Sequence, residues 1–89
     1  MSALRVGEDV AWVTSDERVA VLHLAETGQL PVVLTGPSAE IWSAIDGVRD
    51  EADIVAHVAD LFEVNEEAIR EQVRAFLGDL EARQLIVRT

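Results

Sequence analysis

The sequence predicts an α+β domain of winged-helix-like character, a three-stranded antiparallel sheet followed by three helices, on three observations. Short β-branched runs separated by turn residues fill the chain up to Leu34, and from Pro37 onward apolar residues recur at helical spacing. The chain has 89 residues and no linker, repeat or low-complexity tract, so residues 1–89 are expected to share one core as one domain.

The strands come first. Val10-Ala-Trp-Val-Thr14 and Arg18-Val-Ala-Val-Leu-His-Leu24 flank the polar Ser15-Asp16-Glu17, the pattern of a hairpin with a short loop. In the second run Val19, Val21 and His23 alternate with Ala20, Leu22 and Leu24. Neither face is clearly polar, which predicts a strand covered on at least one side. Glu26-Thr-Gly-Gln29 reads as a second turn, with Gly28 free to take positive φ. Leu30-Pro-Val-Val-Leu34 then reads as a third strand. Pro31 cannot donate a ladder hydrogen bond and belongs at a strand start or on an edge, and an edge is what a recruited peptide strand requires.

Thr35-Gly-Pro-Ser38 turns the chain into the first helix: Gly36 bends, Pro37 suits a first helical position, and Ser38 is expected to cap orphan N–H groups. Ile41, Trp42 and Ile45 face one way, Trp42 as core rather than ligand platform, and Asp46-Gly47 stops the helix. Asp50 with Asp53 forms a capping pair for the second helix, whose predicted buried stripe is Ile54, Val55, Val58, Leu61 and Phe62. Asn65 caps the third, with Glu66 and Glu67 at the positive end of its dipole. Its apolar positions Ile69, Val73, Phe76, Leu77 and Leu80 keep helical period. Gln84 takes a stop position that suits glycine, and Leu85-Ile-Val87 either forms a short closing strand or packs underneath.

Composition narrows the function classes. Seventeen acidic residues against seven arginines and no lysine give a net charge of -10, which opposes binding to a polyanion such as duplex DNA. A partner bearing a basic patch fits better. There are no cysteines, hence no disulfide, thiolate nucleophile or zinc-thiolate site. No apolar run approaches the roughly 20 residues that span a bilayer, and no segment resembles a signal peptide, so the expectation is a cytoplasmic protein without membrane association. His23 and His57 lack converging ligands, and Glu63, Glu66, Glu67 and Glu71 lack the glycine and alternating oxygens of a calcium loop. Ser15, Ser38 and Ser43 have no base at useful spacing, and Gly36-Pro-Ser38 is too short to cradle phosphate. No metal, cofactor or enzymatic activity is predicted.

From about Val10 to Val87 the sequence resembles the PqqD-like family, also called the RiPP precursor peptide recognition element. The resemblance rests on the strand ending Val21-Leu-His-Leu24, on Leu34 followed by Ala39-Glu-Ile-Trp-Ser-Ala-Ile-Asp-Gly47, and on Asp53-Ile-Val with Ala59. Val73-Arg-Ala-Phe-Leu-Gly-Asp-Leu-Glu-Ala-Arg-Gln-Leu85 completes it. Thr35 stands where many members have Asn, Gln84 where many have Gly, and the stretch around Pro31 is not the usual aromatic-rich strand. The resemblance implies a non-enzymatic binder of the leader of a ribosomally made precursor peptide. The leader would dock as an added antiparallel strand on the third strand, against the third helix, and be presented to a separate tailoring enzyme or leader peptidase. On this chain the implied strand side is Val32, Val33 and Leu34. The helix side is Arg70, Arg74, Leu77 and Glu81, with the arginine pair placed to hold acidic leader residues and Leu77 shared between core and groove.

Three functions compete at this point: leader-peptide recognition, a winged-helix transcriptional regulator, and a structural subunit that binds a biosynthetic enzyme without peptide. The regulator needs a basic recognition helix, which Ala75, Gly78, Asp79 and Glu81 do not supply. An unfilled strand edge also predicts weak homodimerisation when no peptide is bound.

Overall fold

Five strands and three helices follow one another through residues 3–25 and 30–89, the part of the chain that the computed structural model describes. They are β1 (Leu4–Val6), β2 (Val10–Ser15), β3 (Arg18–His23), β4 (Val32–Thr35), α1 (Pro37–Ala44), α2 (Glu51–Phe62), α3 (Glu66–Ala82) and β5 (Ile86–Arg88). The turn expected over Glu26–Gln29 lies outside the described residues.

The loop Asp16-Glu17 sets the register of the main sheet. Both residues take positive φ, 46° and 64°, as the two-residue turn that matches strand twist requires. β2 therefore folds straight back on β3 with Ser15 opposite Arg18. β4 pairs with the other side of β3, Val21 opposite Val32 and Arg18 opposite Thr35, giving an antiparallel sheet ordered β2-β3-β4. The predicted strand start at Leu30 moves to Val32, which leaves Pro31 just outside the ladder.

A second sheet was not predicted in full. β1 and β5 pair antiparallel, Leu4 opposite Arg88. Three residues are too few to display a period, so β1 carries no sequence signal. β1 is also held by the α1–α2 connection: the Leu4 N–H donates to the Arg49 carbonyl at 3.0 Å, and the Leu4 carbonyl accepts from Gly47 N–H at 2.8 Å. Asp46 shapes that connection by accepting from the N–H groups of Val48 and Arg49, each at 2.9 Å. Those two bonds, that to Arg49 foremost, hold its carboxyl below the ordinary carboxylate range.

The helix ends follow local chemistry. Asp50 and Asp53 form a reciprocal capping box at the start of α2, and Asn65 Oδ1 accepts from Glu67 N–H at 2.9 Å to cap α3. At α1 the expectation was two residues off: the cap position is Gly36, with φ 57° and ψ -131°, and no side chain caps the helix. Ser38 already lies inside α1, where it cannot receive the bonds of a cap. Gln84 does occupy a left-handed stop, at φ 62°.

One buried cluster joins both sheets to all three helices, including Leu4, Val21, Leu34, Trp42, Ile54 and Leu80. Trp42 is core, met edge-on by the half-exposed Trp12 at 5.9 Å. In α2 the buried face is Ile54, Val55, Val58 and Ala59. Leu61 and Phe62, expected in that stripe, are 49% and 42% exposed. They sit on the final turn, next to the left-handed Glu63 that ends the helix, beyond the layer that the sheet and α1 cover.

Candidate functional site

The margin of β4 that does not face β3 is unpaired among the described residues. Which of its backbone groups point outward follows from the register. Ser15 and Arg18 close a two-residue hairpin and so form a hydrogen-bonded pair; every second residue of β3 then points its N–H and C=O toward β2. Val19 and Val21 accordingly bond across to β4, at Leu34 and Val32. Val33 and Thr35 are left with N–H and C=O directed away from the sheet. Their side chains lie on the outer face, and those of Val32 and Leu34 on the helix face, where Leu34 is buried.

A cleft of about 460 Å³ opens between the start of β4 and the end of α3, lined by Val21, His23, Leu30, Val32, Ala82, Arg83 and Leu85. A second, more apolar cavity of about 270 Å³ lies farther along α3, where Ile69, Gln72 and Phe76 meet Pro37 and Ile41 of α1 and Phe62 of α2. Among the residues at these two cavities, Ile69, Gln72 and Phe76 of α3 and Arg83 at its C-terminal cap fit a run of three- and four-residue steps that also contains Asp79. Arg83 Nε is paired with Asp79 Oδ2 at 3.1 Å, which neutralises the cation at the mouth of the cleft.

The helix-side residues anticipated from sequence lie on the neighbouring stripe. Arg74 pairs with Glu51 of α2 at 3.2 Å, and Glu81 with Arg88 of β5 at 2.9 Å, while Arg88 also reaches Glu51 at 3.3 Å. The two hydrogen bonds, that to Glu81 foremost, raise the pKa of Arg88 further. Arg70 is held by Glu67 at 2.6 Å and Glu66 at 3.8 Å. Arg74 and Glu81 thus join α3 to α2 and β5, Arg70 pairs within α3 itself, and none of the three pairs with a residue of β4. Leu77 is 0% exposed and belongs wholly to the core, which corrects its expected share in the groove. On the strand side, Val32, Val33 and Leu34 all lie in β4, and of the three it is Val33 whose N–H and C=O point away from the sheet. Phe76, Gln72 and Arg83, which line the two cavities, were not among the expected site residues, although their flank is poorer in charge than the Arg-Glu flank.

The family profile described as coenzyme PQQ synthesis protein D (PqqD) matches residues 18–86, from the start of β3 to the start of β5. The chain belongs to the PqqD family. No curated protein matches the sequence significantly. Among solved structures, TbiB1 in complex with the TbiA(β) leader peptide shares the fold of this PqqD-family chain, with a TM-score of 0.80 at 24% identity over 92% of this chain and 93% of that one. Among the described residues of the PqqD-family chain, no helix is long and apolar enough to cross a membrane. Nor do three or more His, Cys, Asp or Glu side chains converge there as metal ligands.

Proposed function

We propose that this PqqD-family protein binds the leader of a ribosomally made precursor peptide by adding it as a strand to β4. It presents that leader to a separate tailoring enzyme or leader peptidase, and acts by binding rather than catalysis, in the cytoplasm where precursors are made. The observation that carries the reading is the unpaired β4 margin beside the cleft against α3. Family membership supports it, and so does the likeness to a protein solved with a leader peptide bound.

The division of labour follows from the geometry. Val33 and Thr35 offer the outward N–H and C=O groups, which bind any extended backbone. Alternate leader side chains turn toward α3 and meet Val32, Phe76, Gln72 and Arg83, so selectivity comes from there. Arg74 and Glu81 hold α3 in place from its other flank.

Val33→Pro tests this. The lost N–H is one that β3 does not use, so the sheet keeps its ladder while the added strand loses a donor. Titration with the leader encoded beside this chain should show binding weakened by about tenfold, at an unchanged circular dichroism spectrum. An unaltered affinity would exclude strand addition at β4.

A further inference from the structure

The outer face of the main sheet does no work in this reading, and its chemistry is unusual. One face of an antiparallel sheet ordinarily meets water and is polar. Here Val13, Ala20 and Val33 lie in register across all three strands, with Ala11 opposite Leu22 in the adjoining row. Val13 is 67% and Val33 59% exposed, and no described helix or strand covers them. The ends of this face are acidic: Glu8 and Asp9 precede β2, Asp16 and Glu17 form its turn, and all four are exposed. Arg18, in the row with Ser15 and Thr35, is the single cation among the outer-face side chains of β2, β3 and β4.

We infer that this face docks a partner protein whose own surface is an apolar patch bordered by basic residues, the tailoring enzyme being that partner. An apolar centre inside a charged rim is the anatomy of a protein interface, and the sign of the rim selects the partner. A second copy of this chain fits poorly, since it would set acidic rims and two net charges of -10 against each other.

The position of the face adds a consequence. In a strand added to β4, the residue opposite Val33 would extend the row Val13-Ala20-Val33 by one side chain. The partner would then rest partly on the leader and distinguish a loaded domain from an empty one. This coupling rests on the strand-addition reading; the docking face does not.

The test uses the full chain, its leader and the purified modifying enzyme encoded with them. Val13→Lys places a cation in the apolar row at a surface position, so the fold is spared. It should weaken enzyme binding by about tenfold or more while leader affinity stays within about twofold. For the unaltered chain, leader should tighten enzyme binding by the same factor that enzyme tightens leader binding. Enzyme affinity unmoved by Val13→Lys overturns the assignment. So does a dimer of this chain, seen by sedimentation, that the same substitution dissociates. If Val13→Lys weakens the enzyme while Val33→Pro leaves leader binding intact, the face stands and strand addition fails.

Discussion

Asp50, Asp53 and Asn65 cap helices because a short acceptor side chain beside orphan N–H groups has few alternatives. Ser38 has the same chemistry but sits two residues too late, because the chain turns at Gly36 itself. A φ of 57° with ψ of -131° is closed to residues with a Cβ, and no neighbour lies within 4 Å of where that Cβ would stand. The cost of a side chain there is therefore a pure backbone cost. Gly36→Ala should lose about 1–3 kcal/mol in urea unfolding without any change in packing. A loss below a few tenths would mean that the β4–α1 corner takes another conformation.

Element by element, strand order and helix number were readable from alternation and period, whereas the facing of α3 was not. Val73, Leu77 and Leu80 mark its buried line, yet two stripes flank that line, and helical period treats both alike. Only the tertiary arrangement decides that Arg83 borders the cleft and Phe76 the second cavity, while Arg74 and Glu81 meet α2 and β5. The arginine pair lies one residue, about 100° of rotation, from the stripe that borders the two cavities. The two stripes separate in a binding measurement. Arg74→Ala should leave leader affinity within about twofold and cost at most about 1 kcal/mol of stability as an exposed pair is lost. Arg83→Ala should change leader affinity at low salt more than at high salt. Equal effects from the two substitutions would contradict this assignment of α3's faces.

For the molecule as a whole, charge was the most readable property, and it acts on folding as well as on partners. Seventeen carboxylates against seven guanidinium groups leave ten negative charges uncompensated, and the ion pairs on the surface are each worth little. Self-repulsion in the compact state should therefore outweigh the pairs. Raising sodium chloride from about 20 mM to about 500 mM shortens the screening length several-fold and should raise the thermal midpoint by a few degrees. A midpoint that falls instead would show that the Arg-Glu network around Glu51 dominates. The pairing of β1 with β5 was the least legible part, because contact between the two far ends of a chain leaves no mark on either segment.

That pairing sets Thr89 against Ala3, amide to carbonyl at 2.9 Å. A protein whose first and last described residues touch can be reopened elsewhere at little topological expense: a brief tether from 89 to 3, with new termini cut in an exposed loop, should give a circular permutant that keeps the same architecture. Groups attached at Ala3 and at Thr89 would hang side by side, and moving an attachment from one residue to the other would barely shift it.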